Sequence, residues 1–250
     1  MRRAAAVLKA FQPGETFLGV NELGRRLGLL PSTVHRIAGS LATEGLLEHD
    51  PDTGKYRLGL EVLRLGRQSL AQRRLREQAM GPMESLARRT GETVNLGALV
   101  DGQVLILERV ESDHSLRAGA KLGEVRPAHC TAGGKVLLSL LPESELDQIV
   151  ESRGLARLTP KTICSADDLK RHLAEVRCQG YAIDDEEGGL GIRCLGTPVF
   201  DHRGHAVAAL AVAGPAERLP LARLLDLKNE VIAAAQDMSH ELGWFPSVDR

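Results

Sequence analysis

No stretch of this chain approaches the roughly 18 uninterrupted apolar residues that a membrane-spanning helix needs. The opening run MRRAAAVLKAF is interrupted by Lys9 and ended by Gln12 and Pro13, so it reads as a short amphipathic helix rather than a secretory leader. Cysteine is scarce as well. Cys130, Cys164, Cys178 and Cys194 lie far apart with no C-x-x-C pair, which leaves no spacing for a zinc ribbon or a disulfide framework. Reduced thiols and a cytoplasmic location are the expectation, with no cofactor. Net charge is nearly absent too, at −1, but the balance hides an asymmetry. Residues 1–76 carry 13 Lys and Arg against 7 Asp and Glu, whereas residues 77–250 carry 19 against 26. A basic head on an acidic body suggests that only the head approaches a polyanion, although chance variation between surfaces gives the same split.

What is present is enough to fold. The chain has 250 residues, 43% of them hydrophobic, sufficient for one large domain or for a small one and a medium one. In the head, three short helical segments follow one another. Ala4 to Phe11 is the first; Val20, Leu23, Gly24 and Leu27 give the second a one-sided stripe. Gly28 suits a helix C-terminus, and Pro31 suits the first turn of the third helix. That third helix places Val34, Ile37, Ala38 and Leu41 on one apolar stripe and leaves Ser32, Thr33, His35 and Arg36 on the opposite face near its start. Two short helices joined by a tight turn containing glycine match a helix-turn-helix outline. Asp52-Thr53-Gly54 then marks a hairpin turn, which makes the unit a winged helix-turn-helix with Lys55 and Arg57 on the wing.

A recognition helix inserts its first residues into the major groove of DNA. Arg36 can offer two parallel donors to a guanine edge; Pro31, Ser32, Thr33 and His35 lie at the same helix start. Arg25, Arg26, Lys55 and Arg57 would grip the sugar-phosphate backbone and fix register. A helical hairpin used only for packing explains the apolar stripe, but not why cations recur on the second helix, the third helix and the wing.

The connector is helical in composition. Leu60, Leu63 and Leu70 form one possible seam and Leu75, Ala79, Met83 and Leu86 another, expected to pair with a second copy; Pro82 requires a kink or a fresh start. Further on, TVNLGALV and QVLILERV alternate around Asp101-Gly102, a hairpin signal. Another strand is expected near Leu116 to Leu122, and a short helix over 131–141. Ser165 and Gly180 bracket a well-marked helix, followed by strands in IRCLGTPVF and HAVAALAVA and a helix from about Leu221 to Leu242. The class is α+β with a mainly antiparallel sheet.

Several constellations in this body bear chemistry. Cys194 with His129 would make a nucleophile–base pair, but no third orienting residue is evident. His129, Cys130, Asp184 and Cys194 would be metal ligands, yet at no recognised spacing. The run DDEE (184–187) offers paired carboxylates, although charge runs are usually solvated. CTAGGK places small residues at a helix start, where unpaired N–H groups attract a carboxylate or phosphate; tight helix–sheet packing is the alternative.

With both halves in view, the chain resembles the IclR family of bacterial transcriptional regulators over essentially its whole length. The head matches in GVNELGRRLGLLPSTVHRIAGSLATEGLLEHDPDTGKYRLG and the body in GETVNLGALVDGQVLILERV. The most specific match is the family's C-terminal signature, met by Gly180, Asp184, Glu187, Cys194, Leu195, Gly196, Val199, Phe200 and Asp201. The resemblance implies a winged helix-turn-helix over 1–60, a linker helix over 61–78 and a GAF/PAS-like effector domain with a curved sheet over 79–250. It implies a regulator rather than an enzyme, more often a repressor, acting on palindromic operators as a dimer or tetramer. It also implies an effector pocket at Ala132, Gly133, Asp184, Cys194, Ala211 and Ala213 for a small organic acid. Family members that bind very small oxo-acids have serines where this chain has Ala211 and Ala213, so a larger or less polar acid is expected here. The alternative is a redox- or metal-responsive regulator sensing through Cys194 and its neighbours.

Overall fold

The computed structural model describes residues 2–11, 15–65 and 75–245. The chain divides into two units, residues 1–74 and 75–250. The first builds from helices α1 (Arg2–Lys9), α2 (Val20–Leu27) and α3 (Pro31–Thr43), then an antiparallel hairpin of β1 (Leu47–His49) and β2 (Tyr56–Leu58). Val34, Ala38 and Leu41 of α3 meet Val7, Leu23, Leu47 and Tyr56 in one buried cluster, with Ile37 partly buried at its edge. α2 stops where Gly28 adopts the left-handed conformation (φ 62°), and Pro31 opens α3. The turn between them is tight. A Cβ on Gly24 would fall 2.8 Å from the carbonyl oxygen of Leu29, whose N–H donates to Gly24 O (2.9 Å). In the wing, the Asp50 carboxylate accepts from the Thr53 hydroxyl (2.6 Å) and from Asp52 N–H (3.1 Å), which fixes the turn.

Residues 60–65 are helical, with Leu60 and Leu63 exposed. Leu70 and the middle of the expected linker helix lie outside the described residues. Its far end is not a separate element. Helix α4 (Leu75–Thr90) packs Leu75, Ala79, Met83 and Leu86 into the core of the second unit, and it runs through Pro82 without a fresh start. The seam expected to face a second copy is therefore core within one chain. Periodicity shows that a face is apolar, not whose surface covers it.

The second unit holds a six-stranded antiparallel sheet in the order β5-β4-β3-β8-β7-β6. The strands are β3 (Thr93–Val100), β4 (Gln103–Val110), β5 (Val125–Pro127), β6 (Ala182–Asp185), β7 (Ile192–Phe200) and β8 (Ala206–Pro215). β3 and β4 join through Asp101 and Gly102, both at positive φ, as the Asp-Gly turn predicts. The strand expected near Leu116 to Leu122 does not form. Both leucines are exposed, and the partner of β4 comes later, at β5.

Alternation along β8 separates the two faces of the sheet. Ala208, Leu210 and Val212 pack with Val94 and Leu96 of β3 against α4 and the C-terminal helix α8 (Leu221–Glu241). Helices α5 (Ala132–Ser139), α6 (Glu143–Arg153) and α7 (Ala166–Gln179) cover the other face, where Val104 and Ile106 meet Leu138, Leu146, Leu169 and Leu173. α7 is bounded as expected: Ser165 caps it by accepting from Asp168 N–H, and Gly180 (φ 76°) ends it. The sheet is curved. Arg126 of β5, at one edge, donates to the carbonyl of Gly188 in the loop after β6, at the other (2.8 Å). Among the described residues no helix is long and apolar enough to cross a membrane.

Candidate functional site

The second unit contains a cavity of about 300 Å³ where α5 begins above the sheet. It exists because the strands beneath carry little bulk: Ala209, Ala211 and Ala213 face it from β8, and Gly97 from β3. A Cβ on Gly196 of β7 would fall 2.8 Å from the nitrogen of Gly133, so the helix start approaches this strand only because the position is glycine. The volume suits a small metabolite rather than a large cofactor.

Ala132, Gly133, Asp184, Cys194, Ala211 and Ala213 all line this cavity. Strand register explains how positions so far apart in sequence converge. Asp184 pairs with Cys194 and Cys194 with Ala213, while Gly196 pairs with Ala211 and Ala211 with Asn95. Directly opposite residues in an antiparallel ladder share a face.

The polar groups gather at the helix start. Thr131 caps α5 by accepting from Gly134 N–H (3.2 Å), which leaves the N–H groups of Ala132 and Gly133 without an acceptor among the described residues. Arg126 reaches the same cavity. Asp184 is buried and accepts from the N–H groups of Glu187 (2.7 Å) and Gly188 (3.2 Å). Burial holds its pKa up to about 6, against the opposite pull of those two bonds and of Lys135. Free helix donors, a guanidinium and a carboxyl that is neutral in mild acid together favour an anion.

Lys135, on α5, is fully buried. Its Nζ donates to the Ile183 carbonyl (2.6 Å) and pairs with the Glu187 carboxylate. The acidic run is therefore not a solvated block. Asp184 and Glu187 point inward, whereas Asp185 and Glu186 pair with Lys161 and Arg193. Lys135, Arg126 and Asn95 were not singled out by sequence reasoning. One charge in an apolar helix, and one amide in TVNLGALV, are signals for the first and last; Arg126 has no local signal.

The competing chemistry does not assemble. His129 Nε2 lies 3.1 Å from the Ala156 carbonyl and faces a separate cavity beside Gly102 and Ile149, so it does not serve Cys194 as a base. Burial, then the Asp184 charge, pushes up the pKa of Cys194, and the same causes raise Cys130 to about 11. Both stay protonated at neutral pH, the opposite of what a nucleophile or a thiolate ligand needs. Among the described residues no group of three or more His, Cys, Asp or Glu is arranged to hold a metal ion.

In the first unit, Pro31, Ser32, His35 and Arg36 are exposed at the start of α3, and Thr33 is half-buried. Arg25 on α2 and Lys55 on the wing are exposed, and neither they nor Arg36 form an ion pair among the described residues. Arg26 differs. It pairs with Glu15 and Glu22 (2.6 Å each) and donates to the Ala10 carbonyl (3.2 Å), so it ties α2 to the segment after α1. Arg57 pairs with Glu48 (2.6 Å) and lies over the Phe17 ring. Either arginine would have to exchange a carboxylate for a phosphate in order to grip DNA.

Two family models match. "IclR helix-turn-helix domain" covers residues 1–51, and "Bacterial transcriptional regulator IclR C-terminal" covers residues 67–240. The HTH-type transcriptional regulator XynR of Escherichia coli is 33% identical over 98% of this chain and 97% of its own length. The glycerol operon regulatory protein of Streptomyces coelicolor is 36% identical, covering 97% and 96%. Among solved structures, an IclR homologue from Microbacterium hydrocarbonoxydans complexed with 4-hydroxybenzoate is similar with a TM-score of 0.81 and 29% identity, over 96% of this chain and 97% of that one.

Proposed function

Because the chain belongs to the IclR family of bacterial transcriptional regulators, we propose that it is a repressor of catabolic genes controlled by a small organic acid. It binds palindromic operators as a dimer or tetramer, each α3 entering the major groove with its first turn. Paired recognition helices then sit about 34–36 Å apart, one turn of the duplex. Arg36 reads a base edge, Ser32, Thr33 and His35 flank it beside Pro31, and Arg25 and Lys55 hold phosphates, joined by Arg26 and Arg57 where their carboxylate partners yield.

The acid occupies the cavity at the start of α5. The observation that carries this reading is the convergence of Arg126 and two helix N–H groups, unpaired among the described residues, on a pocket whose remaining lining is mostly small and apolar apart from Thr131, Asp184 and Asn95. Ala211 and Ala213 add no hydroxyls, which favours an acid with a sizeable apolar body; the 4-hydroxybenzoate held by the Microbacterium homologue is of that kind. The effector acts only if it binds the DNA-competent arrangement and its alternative with different affinity. A gel shift on duplex from upstream of its own gene tests this. Candidate acids are expected to change the complex in a saturable way, and a response to peroxide or chelator instead would contradict it.

pH gives a second check. Asp184 is neutral below about pH 6 and faces the acid alongside Arg126; above that pH its charge opposes the ligand's. Acid affinity is expected to fall as pH rises above 6, by up to about 10-fold per unit for one linked proton. Asp184→Asn should flatten that slope. The same raised pKa means that the folded state holds this proton more tightly than the unfolded chain. Its contribution to stability is therefore present at low pH and lost as pH rises through about 6, and Asp184→Asn should remove that loss as well. Calorimetric titrations between pH 5 and 8 measure the first, and urea melts between pH 4 and 7, which span the unfolded and folded values, measure the second.

A further inference from the structure

Asn95 sits in the middle of β3, in a strand of otherwise mostly apolar residues, and asparagine is depleted in strands. It is more than nine-tenths buried, it lines the cavity, and its Oδ1 has no hydrogen-bond partner among the described residues. A buried amide left unpaired is destabilising, so its presence here needs an explanation. Its neighbours on the same face, Ala211 and Gly97, bring no polar atom. Arg109, opposite it on β4, donates from its terminal nitrogens to the carbonyls of Ala118 and Ala120, leaving only a buried Nε without a partner among the described residues.

We propose that Asn95 selects the effector: the pocket takes a carboxylic acid whose apolar body carries a hydroxyl that meets the Asn95 amide. This rests on the reading of the cavity as an acid site. The carboxylate lies at the N–H groups of Ala132 and Gly133. Gly133 stands over Gly196, and the register runs Gly196, Ala211, Asn95, so the two ends of the site are two strand spacings apart, about 10 Å. A hydrogen bond of about 3 Å at each end leaves roughly 4–7 Å between the ligand's polar groups. A chain of about three to five carbons, or a six-membered ring, spans that gap. A hydroxyl both donates and accepts, so it satisfies the amide in either orientation.

The test is calorimetry on the full-length protein with matched acids: 4-hydroxybenzoate against benzoate, 4-hydroxybutanoate against butanoate, and 5-hydroxypentanoate against pentanoate. In at least one pair the hydroxy acid is expected to bind about 10-fold tighter or more. Asn95→Leu should bring that ratio close to one while the deoxy acid still binds. Without ligand, Asn95→Leu should melt at or above the wild-type temperature, since it removes an unpaired amide; a lower melting temperature would assign the amide a structural role and overturn the proposal. Should Asn95→Leu not fold, Asn95→Ala, which adds no bulk, takes its place. Equal affinities in every pair, or a preference that survives the substitution, overturn the role of Asn95 and leave the acid site standing. No binding of any of these acids by the wild type overturns the acid site and the proposal with it.

Discussion

Lys135→Met is expected to lower the stability of the second unit by about 3–5 kcal/mol, because it strands a buried carboxylate. The Lys135 ammonium has no access to water, and its partners are the Glu187 carboxylate and the Ile183 carbonyl. Glu187 is itself buried, and its Oε2 already lacks a partner among the described residues. Removing the lysine leaves that charge in a poorly solvating interior, where it must take up a proton or pull the loop open. The pair joins α5 to the loop after β6, which supplies Gly188 to the cavity, so acid binding should weaken alongside stability. Lys135→Met/Glu187→Leu should recover most of the stability, since two apolar side chains carry no desolvation cost. Urea melts of the three proteins decide the matter. A loss under about 1 kcal/mol in the single variant would mean that the pair is not the fastening of the helix start.

Arg36→Ala and Lys55→Ala are expected to weaken DNA binding in different ways. Arg36 is exposed at the start of α3 and forms no ion pair among the described residues, so it is available for a bidentate contact with a guanine edge. Its loss should cost about 1–3 kcal/mol on the operator, very little on unrelated duplex, and should relax the choice of base at one position. Lys55, on the wing, should weaken all sequences alike and reduce the salt slope by about one counterion. Fluorescence anisotropy on operator and scrambled duplexes, at several salt concentrations, separates the two. The same sequence profile for both variants would refute the division of roles.

Local chemistry was legible in the sequence wherever a residue acts on its own neighbours. Gly28 and Pro31 bound the turn between α2 and α3, Asp101-Gly102 closes the hairpin, and Ser165 and Gly180 bracket α7, each by backbone preferences within a few residues. What failed depended on partners distant in sequence. Leu116 and Leu122 look like strand residues, but the edge of β4 is taken by Val125–Pro127. Leu75, Ala79, Met83 and Leu86 look like a dimer seam, but β3, β8 and α8 of the same unit cover them. The run 184–187 looks solvated until alternation along β6 and the loop after it turn Asp184 and Glu187 inward. CTAGGK marks the helix start at Ala132 and Gly133 as a candidate anion site, whereas Asp184, Cys194, Ala211 and Ala213 join it only through the family resemblance. Their convergence follows from the register of β3, β8, β7 and β6, which no local pattern contains.

Regulation by this protein depends on the insertion of the first turn of α3 into duplex DNA. Anisotropy of a labelled duplex from upstream of the protein's own gene, titrated with the full-length chain at low ionic strength, tests that most directly. Saturable binding that weakens steeply as salt is raised is the predicted result. A protein that leaves this duplex and every other duplex unbound under those conditions would contradict it.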